Sequence, residues 1–567
     1  MYKELQETIA EMTAPGQMFS IAEVEVGGYP VKAWAMAPNS LRDIWLSSAG
    51  HANADYLVYQ DERWTYAQAH EQVARIANWL VANGIGRHDR VAIAMRNFPE
   101  WMLSYWAIAS IGAVSVGVNA WWVPDELKYG LKDSGTRLLI CDAERLARFE
   151  GIRGELPELK VVAVRVDAAP SWATPWSEVL ESEAVLPEAA IAPDDDACIF
   201  YTSGTTGAPK GAQLTHRGCV NNILSVVFGT MSQATTQARV LGKTPPDLLS
   251  GGKTQLASII ATPLFHVTAN NCLAQTATIG GGKLVHMHKW DAGEALRLIE
   301  QEKVTIFSGV PTMSREIINH PDFATRDTST LTALNGGGAP VQPDLVGKID
   351  KNARGAQAGQ GYGMTETSGI ISTSSGFFLS DKPSSAGRVL PVFEVKSIDK
   401  EGNTLPTGAT GEICVRSSQV IKGYLNRPEA TAQTIVDGWL RTGDIGYVDA
   451  DNFIFLVDRA KEMVLRGGEN VFCSEVETAL YKHPGVAECS VFSVPDERLG
   501  EEVGAAIFPA AGARPTAAEL REYCKTQLAA YKAPRYIWIL DEPLPRNASG
   551  KFVKRALQDS LDIAAAG

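Results

Sequence analysis

Residues 201–211 have the composition of a loop that binds phosphate. They read Tyr-Thr-Ser-Gly-Thr-Thr-Gly-Ala-Pro-Lys-Gly and contain three glycines, four serine or threonine hydroxyls and one lysine. Glycines let the backbone turn its N–H groups toward an anion, hydroxyls donate hydrogen bonds, and lysine adds a positive charge. The spacing is not that of a Walker A loop, because Gly204 and Gly207 are three residues apart and Lys210 follows a proline. The segment therefore predicts a nucleotide chemistry different from that of the P-loop enzymes.

Further glycine-rich and charged motifs follow along the chain. They are Gly-Gly-Gly-Ala-Pro (336–340), Gly-Tyr-Gly-Met-Thr-Glu (361–366), Trp-Leu-Arg-Thr-Gly-Asp (439–444), Asp-Arg-Ala-Lys-Glu (458–462), Gly-Gly-Glu-Asn (467–470) and Pro-Arg-Asn-Ala-Ser-Gly-Lys (545–551). In type and order this set resembles the motifs of the adenylate-forming superfamily, which includes acyl-CoA synthetases, firefly luciferase and the adenylation domains of peptide synthetases. The motifs span residues 201–551, and the first 200 residues match the family more loosely.

The resemblance implies that the first motifs bind ATP. Side chains of the phosphate loop would hold the β- and γ-phosphates: Thr202, Ser203, Thr205, Thr206 and Lys210, with Gly204 in the same loop. Residues 336–340 would line the adenine, since a flat ring can approach a backbone that lacks side chains. Tyr362 would stack on the other face of the ring. The remaining residues expected at this site are Gly338, Ala339, Pro340, Gln360, Gly361, Gly363 and Met364.

The pair Thr365 and Glu366 is expected to act at the reacting phosphate. A carboxylic acid and ATP are both anions, so a nearby Glu side chain would repel them unless it held a cation. The resemblance implies that Thr365 donates to the α-phosphate and that Glu366 ligates Mg²⁺, which suits a hydrated site of oxygen ligands. Taken alone, Glu366 would be interpreted as a solvated surface residue.

Two residues farther along the chain are expected to bind the ribose. Asp444 could be only the aspartate of a Thr-Gly-Asp turn, but a carboxylate can also accept hydrogen bonds from two hydroxyls at once. The resemblance implies that role for Asp444 and places Arg459 beside it.

The C-terminal motifs are expected to serve both halves of the reaction. The resemblance implies that Lys551 enters the site and stabilises the charge that develops as the acid attacks the α-phosphate. The C-terminal domain would then rotate about Lys461, within a hinge at 458–462. In the rotated state a tunnel for the thiol of coenzyme A would be lined by Gly467, Gly468 and Asn470.

Histidines near the expected acid pocket allow two interpretations. His266 ends the run Thr-Pro-Leu-Phe-His (262–266) and matches a family position between the acyl pocket and the thiol tunnel. We assign it to the catalytic set, although a lone histidine after apolar residues is more often structural. His286 and His288 flank Met287 with the spacing of ligands on a strand, but no third ligand is visible near them in the sequence, and we assign no metal site there.

The reaction implied by the resemblance has two steps. A carboxylic acid attacks ATP to give acyl-AMP and pyrophosphate, and the thiol of coenzyme A then displaces AMP. The expected cofactors are ATP, Mg²⁺ and coenzyme A. The alternatives are an acyl-AMP ligase that stops at the adenylate or loads a carrier protein, and a luciferase-like oxygenase. A nucleotide-binding regulator without activity is disfavoured because Lys210, Glu366 and Lys551 are present.

The acid is expected to be hydrophobic. By resemblance, its pocket uses residues 262–272, 308–312 and the neighbours of Gly361. Val267 and Gly338 in this region are apolar or small, and no aspartate in these segments would hold an α-amino group. A medium- or long-chain fatty acid is the first prediction, which would place the enzyme in lipid metabolism. An aryl or cyclic carboxylic acid is the alternative.

Composition limits the partners. The 567 residues include 52 Lys and Arg against 65 Asp and Glu, and the net charge of −13 disfavours nucleic acid or an anionic membrane as a general partner. The eight cysteines lack Cys-x-x-Cys spacing and the N-terminus has no signal-peptide core, so we expect a cytoplasmic protein. The apolar stretch 102–118 is interrupted by serines and glycines and is shorter than the ~20 residues of a membrane span. A homodimer is compatible with the resemblance.

The elements that must position these motifs alternate between strand and helix. A capping box at 65–68 predicts the start of a helix that Gly84 ends, and a second helix is predicted from about Pro99. Strands are predicted at residues 90–95, 113–118, 137–141 and 198–201. This alternation predicts a parallel sheet covered by helices, with ligands at the carboxyl ends of the strands.

The chain is too long for one core, so two domains are expected. Residues 1–458 would form a large α/β N-terminal domain of parallel and mixed sheets layered with helices. Residues 459–567 would form a small, mobile α+β domain. In that domain we predict a capping box at 474–477, a helix that runs to His483, and strands at 486–495 and 502–508. Between the motifs, residues 229–258 are polar and contain glycine, which predicts an insertion or a surface loop.

Overall fold

The computed structural model describes residues 1–202, 208–245, 255–339, 341–353, 355–459, 463–466, 469–547 and 550–567. The chain divides into two compact units. The first unit holds residues 1–341, 346–394 and 415–440, and the second holds 342–345, 395–414 and 441–567. The boundary predicted at residue 458 stays a prediction.

The strands have the following bounds: β1 Ile21–Val26, β2 Tyr29–Trp34, β3 Asp55–Tyr59, β4 Glu62–Thr65, β5 Arg90–Ala94, β6 Val114–Gly117, β7 Leu138–Asp142, β8 Lys160–Val164, β9 Thr174–Pro175, β10 Asp196–Thr202, β11 Lys210–Thr215, β12 Ala257–Ile260, β13 Lys283–His286, β14 Ile306–Gly309, β15 Ala333–Gly337, β16 Gln357–Met364, β17 Gly369–Ser375, β18 Gly387–Val389, β19 Glu394–Ile398, β20 Gly411–Arg416, β21 Gly423–Tyr424, β22 Ile435–Val436, β23 Trp439–Val448, β24 Phe453–Arg459, β25 Val464–Arg466, β26 Glu469–Val471, β27 Val486–Asp496, β28 Gly500–Pro509 and β29 Tyr536–Ile539.

The helices are α1 Tyr2–Met12, α2 Leu41–Ser47, α3 Tyr66–Ala82, α4 Pro99–Ser110, α5 Pro124–Ser134, α6 Ala143–Glu150, α7 Trp176–Val179, α8 His216–Val240, α9 Gln275–Ile279, α10 Ala292–Glu302, α11 Pro311–Asn319, α12 Pro343–Asn352, α13 Phe377–Asp381, α14 Pro428–Thr434, α15 Cys473–Tyr481, α16 Ala517–Gln527 and α17 Lys554–Ser560. Among the described residues, none of these helices combines the length and the apolar character needed to cross a bilayer.

The first unit contains an eight-stranded sheet in the order β21-β11-β10-β6-β5-β7-β8-β9. Its strands from β10 to β9 are parallel, whereas β11 and β21 join it antiparallel. The predicted strand, helix and strand at residues 90–118 are confirmed as β5, α4 and β6. Every residue of α4 is buried, which explains the apolar stretch at 102–118 without a membrane.

A second sheet in this unit has the order β18-β17-β16-β15-β14-β12-β13-β3-β4. Its strands from β16 to β3 are parallel, and the outer strands at both ends pair antiparallel. The predicted capping box is confirmed: Thr65 accepts from the N–H of Gln68, whose side chain accepts from the N–H of Thr65. The expected α/β fold of parallel and mixed sheets is confirmed.

The second unit contains β24 and most of β19, β20 and β23. It also contains a sheet in the order β26-β25-β28-β27, to which β29 adds beside β28. The predicted strands at 486–495 and 502–508 are confirmed as β27 and β28, which pair antiparallel. Val476 and Leu480 of α15 pack with Val491 and Ile507 in a buried core. The expected small α+β unit is therefore present.

The predicted capping box at 474–477 is wrong. The helix α15 begins at Cys473, after Phe472, and its end carries no side-chain cap. Ser474 lies inside the first turn and its hydroxyl donates to the carbonyl of Val457, while Glu477 accepts from the N–H of Val491 at 2.9 Å. Tertiary partners thus use both side chains, and α15 ends at Tyr481 rather than at His483.

The loop predicted at 229–258 is wrong at residues 229–240 and 257–258, which are helix and strand. The helix α8 continues to Val240 and β12 begins at Ala257, while residues 246–254 lie outside the described residues. Gly229 permits close packing rather than a turn, since a Cβ there would lie 2.5 Å from Cγ2 of Thr373. The polar side chain of Gln233 is buried and accepts from the N–H of Ser375 at 2.7 Å. The contacts at Gly229 and Gln233 attach α8 to β17. The polarity of the local sequence does not reveal such contacts.

Candidate active site

Four adjacent parallel strands of the first unit end at one edge of their sheet. Gly309 at the end of β14 is paired with Gly336 of β15, and Gly337 is paired with Gly361 of β16. The neighbouring strand β12 leads into the segment that carries His266. The register therefore brings the predicted acid and adenine segments to one edge of the sheet. The carboxyl ends of parallel strands commonly form the crevices in which ligands bind.

At the end of β15 the backbone lies close to neighbouring side chains. A Cβ added to Gly336 would lie 2.4 Å from Cγ2 of Val341, and Gly338 has a φ of +75°, which favours glycine. Ala339 is exposed at this exit. Tyr362 is half-buried on β16, and Pro340 lies outside the described residues.

The amide of Gln360 holds neighbouring backbone. Its Oε1 accepts from the N–H of Val341 at 3.0 Å, and its Nε2 donates to the carbonyl of Ser385. Both ends of this buried side chain are therefore engaged within the protein. A supporting role for Gln360 at the strand exits follows directly from these contacts, whereas its predicted contact with the nucleotide stays a prediction.

A tight turn after β16 carries Thr365 and Glu366. Ser368 closes this turn with a φ of +54°, its N–H donates to the carbonyl of Thr365 at 3.0 Å, and its hydroxyl donates to the carbonyl of Gln419 at 2.8 Å. Asn271 donates to the carbonyl of Ser368 at 3.0 Å. These hydrogen bonds hold the turn that carries Glu366, and the residue is only 7% exposed.

Tyr424 connects this turn to the phosphate loop. Its hydroxyl donates to Oε1 of Glu366 at 2.7 Å, and Nζ of Lys210 lies 5.0 Å from the centroid of its ring. The sequence did not single out Tyr424, which lies 58 residues from Glu366 along the chain. The pairing of β21 with β11, in which Tyr424 is opposite Ala212, creates this contact.

The two flanks of the phosphate loop are described, and its centre is not. Thr202 ends β10 and is paired with Lys210, which begins β11, and the Thr202 hydroxyl lies 3.4 Å from the Lys210 carbonyl. Tyr129 donates to the carbonyl of Pro209 at 2.8 Å. The hairpin thus fixes both ends of the loop. Ser203, Gly204, Thr205 and Thr206 lie outside the described residues.

The donors around Glu366 fit a hydrated magnesium site that takes further ligands from phosphate. The described residues contain no cluster of three or more His, Cys, Asp and Glu side chains that could hold a metal by themselves. Tyr424 engages Oε1 of Glu366, and Oε2 makes no hydrogen bond with the described residues. Mg²⁺ is commonly held by one or two carboxylates together with substrate phosphates, so a single buried carboxylate beside a phosphate loop meets this requirement.

His266 lies at the start of an unusual helical segment. Residues Thr268–Ala274 form a π-helix, a geometry often found at functional sites. The carbonyl of His266 accepts from the N–H of Asn270 at 3.0 Å, and its ring lies 4.7 Å from that of Phe265. His266 is therefore held at the strand edge, and its catalytic role stays a prediction.

The imidazole ring of His286 is buried. Its Nδ1 lies 3.2 Å from the carbonyl of Asn97, and burial lowers the pKa of its imidazole to about 3. A neutral ring is therefore expected throughout the physiological range.

In the second unit, Asp444 and Arg459 are cross-strand neighbours on β23 and β24. Nε of Arg459 lies 3.2 Å from Oδ1 of Asp444. Asp444 is 6% exposed, and its N–H donates to the hydroxyl of Thr442 at 3.1 Å. The predicted proximity of these two residues is thus present, and their role at a ribose stays a prediction.

Lys551 lies on an exposed loop of the second unit. Its N–H donates to Oδ1 of Asn547 at 3.0 Å, and its carbonyl accepts from the N–H of Asn547 at 2.8 Å. Gly550 before it has a φ of +82°, which explains the glycine in this motif. Lys461, Gly467 and Gly468 lie outside the described residues, as does the side chain of Asn470.

Comparison with known families identifies the chain. Residues 45–425 match the model of the AMP-binding enzymes, and residues 475–551 match the model of the AMP-binding enzyme C-terminal domain. The chain is 36% identical to a feruloyl-CoA synthase of Amycolatopsis, over 93% of this chain and 97% of that protein. It is 33% identical to a 4-coumarate–CoA ligase of Oryza sativa subsp. japonica, over 88% of each chain.

Solved structures agree with these relatives. An anthranilate CoA ligase in complex with anthranoyl-AMP aligns with a TM-score of 0.82 and 27% identity, over 93% of this chain and 98% of that chain. The o-succinylbenzoate CoA synthetase of Bacillus subtilis aligns with a TM-score of 0.75 and 29% identity, over 92% and 99% of the two chains. The protein belongs to the AMP-binding enzyme family, the adenylate-forming acyl-CoA synthetases. It is an AMP-forming acid–thiol ligase whose cofactors are ATP, Mg²⁺ and coenzyme A.

Proposed function

We propose that the protein activates an aromatic carboxylic acid of the hydroxycinnamate type and transfers it to coenzyme A. The observation that carries this proposal is the similarity, over 93% of the chain, to a feruloyl-CoA synthase. The names of other relatives contain 4-coumarate, anthranilate and o-succinylbenzoate, which are also aromatic acids. The fatty acid favoured by the sequence receives no support from these relatives, so the aryl alternative takes its place.

The glycines at the strand edge differ in what surrounds them. A Cβ on Gly309 would lie 3.0 Å from Sδ of Met313, and one on Gly336 would lie 2.4 Å from Cγ2 of Val341, so these two glycines allow close packing within the protein. A Cβ on Gly337 would lie 3.8 Å from Cγ2 of Thr268, an ordinary contact distance. A rigid aromatic acid loses less rotational freedom on binding than a flexible acyl chain, which supports the aromatic assignment.

In the first step, side chains of the protein would bind ATP and stabilise the negative charge of its phosphates. Lys210 and the hydroxyls of its loop would hold the β- and γ-phosphates, and Thr365 would donate to the α-phosphate. Mg²⁺, held by Glu366, would neutralise phosphate charge when it is bound. Lys551 would stabilise the charge that develops between acid and α-phosphate. The pair Asp444 and Arg459 would fix the ribose.

In the second step, the thiol of coenzyme A would need access to the carbonyl of the acyl-AMP. Rotation of the C-terminal residues about Lys461 would remove Lys551 and present Gly467 and Gly468, whose lack of side chains would leave room for pantetheine. His266 would lie between the acid and the thiol. A cytoplasmic location and a homodimeric state belong to the same proposal.

A substrate panel tests the proposal directly. Purified protein is incubated with ATP, Mg²⁺, coenzyme A and one acid at a time: 4-coumarate, ferulate, anthranilate, octanoate or palmitate. Acyl-AMP and acyl-CoA are measured by mass spectrometry. We expect thioesters of 4-coumarate or ferulate, with kcat/KM at least about ten-fold above that for the fatty acids, which corresponds to about 1.4 kcal/mol of discrimination.

Other outcomes would change the conclusion in defined ways. A fatty acid as the best substrate would refute the aromatic assignment and restore the first prediction from the sequence. Acyl-AMP without thioester, with every acid, would indicate an adenylate-only or carrier-loading enzyme.

A further inference from the structure

Tyr424 lies where two parts of the nucleotide site meet. Its strand β21 pairs with β11, which begins at Lys210. The preceding segment is attached to the turn that carries Glu366, since the N–H of Ile421 donates to the carbonyl of Glu366 at 3.0 Å. The ring and the hydroxyl of Tyr424 are thus placed by two backbone connections that have different origins in the chain.

The hydroxyl of Tyr424 is a hydrogen-bond donor to Glu366. It donates to Oε1 of Glu366 at 2.7 Å, and an ionised carboxylate can only accept. This bond occupies one carboxylate oxygen of Glu366 and leaves the other oxygen to a cation.

The ring of Tyr424 serves the other partner. Nζ of Lys210 lies 5.0 Å from the ring centroid, which is within the range of a cation–π interaction. A neutral ring holds the ammonium group without neutralising its charge, whereas a carboxylate at this place would compete with phosphate. One side chain thereby orients both a phosphate-binding cation and a carboxylate.

We propose that Tyr424 is a positioning residue for Mg²⁺·ATP, with its hydroxyl orienting Glu366 toward the metal and its ring orienting Lys210 toward the phosphates. The inference rests on the proposed roles of Glu366 and Lys210. It assigns to Tyr424 no contact with the acid or with coenzyme A.

The two functions of Tyr424 can be separated by substitution. Tyr424→Phe keeps the ring beside Lys210 and removes the donor to Glu366. Tyr424→Leu removes both. Tyr447→Phe in the second unit, where the ring stacks on Phe455 at 5.0 Å, removes a tyrosine hydroxyl elsewhere and is the matched control. Circular dichroism and thermal unfolding establish that each variant is folded.

The test is calorimetric titration of ATP into the full-length protein, first without metal and then at increasing Mg²⁺. For Tyr424→Phe we expect an ATP affinity without metal within about two-fold of wild type. The Mg²⁺ concentration that gives half of the metal-dependent gain in affinity should rise about ten-fold, the order expected for losing a hydrogen bond to a charged group. For Tyr424→Leu the affinity without metal should also fall, by about five-fold, because the cation–π contact is lost.

The proposal is overturned if Tyr424→Phe shows the same Mg²⁺ dependence as wild type. It is also overturned if the variant loses affinity equally with and without metal, which would indicate a structural role. The titration contains no carboxylic acid and no coenzyme A, so an error in the proposed acid would appear only in the substrate panel and would leave this result unaffected.

Discussion

Asp458, at the end of β24, should make the stability of the second unit depend on pH. Its Oδ1 accepts from the N–H of Arg459 at 2.7 Å, and its Oδ2 accepts from the N–H of Cys473 at the start of α15. Burial is the main cause that raises the pKa of Asp458 from 3.8 to about 6, and Glu477 adds to it. Lys554 and the two N–H donors oppose the rise but do not cancel it.

The sign of the effect follows from proton binding. Between pH 4 and 6 the folded protein holds a proton on Asp458 that the unfolded chain has released, so stability falls as pH rises through this window. Each pH unit corresponds to about 1.4 kcal/mol, so the full loss is about 3 kcal/mol and is complete above pH 7. The charged carboxylate at neutral pH is therefore a local cost in the free energy of unfolding.

Asp458→Asn should reveal this cost. Asn keeps an oxygen that can accept from Cys473 and carries no charge, so the variant should be similar to wild type near pH 4.5 and more stable by up to about 3 kcal/mol at pH 7.5. Hydrogen–deuterium exchange of α15 measures this locally, which matters because a chain of 567 residues is not expected to unfold in one step. Comparison of variant with wild type at each pH removes the intrinsic pH dependence of exchange.

The reasoning would be refuted by a difference in protection that does not change between pH 4.5 and 7.5. It would also be refuted by a variant that is less stable than wild type at pH 7.5, since that would mean that the attraction to Lys554 outweighs the burial of Asp458. The pair Lys554 and Glu477, whose Nζ and Oε1 are 3.1 Å apart, must be intact for this test, and exchange of α17 checks it.

Three further substitutions test the proposed roles of single residues in acyl-AMP formation, thioester formation and ATP binding. Lys551→Ala should lower the rate of acyl-AMP formation by at least about 100-fold. Thioester formation from supplied acyl-AMP should stay within a few-fold of wild type, and equal loss of both steps would contradict the role of Lys551. Gly468→Leu should have the opposite effect, sparing pyrophosphate release and blocking transfer to coenzyme A, and unchanged turnover to thioester would count against the tunnel. In Gly336→Ala the added Cβ would lie 2.4 Å from Cγ2 of Val341, so the Val341 side chain must move. We expect KM for ATP to rise several-fold with little change in KM for coenzyme A. A uniform loss of stability and activity would contradict a local effect.

Local patterns in the sequence were sufficient where neighbours along the chain decide the structure. The capping box of Thr65 and Gln68 needs only residues three apart, and it is present. The pattern of Ser474 and Glu477 is the same, yet tertiary partners take both side chains. A short motif predicts a cap only when no stronger partner is available to its side chains.

Glycine and polar residues in the second half of α8 predict a loop where the chain is helical. Gly229 and Gln233 are typical of loops, but in α8 they allow and strengthen contact with β17, through the close approach to Thr373 and the bond to Ser375. Whether a glycine marks a turn or a tight helix contact depends on what lies opposite, and the sequence does not contain that information in any local window.

The sequence by itself determined the order of the motifs and the alternation of strand and helix, because these are carried by residue types at short spacing. Through the resemblance of those motifs it also predicted the family and an AMP-forming ligase. Only the tertiary structure decided that Tyr424 joins Lys210 to Glu366 and that the ends of β12, β14, β15 and β16 share one edge. Such contacts depend on the pairing and register of strands that are far apart in the chain. A shift of one residue would turn each side chain to the opposite face of the sheet, so no motif can specify them alone.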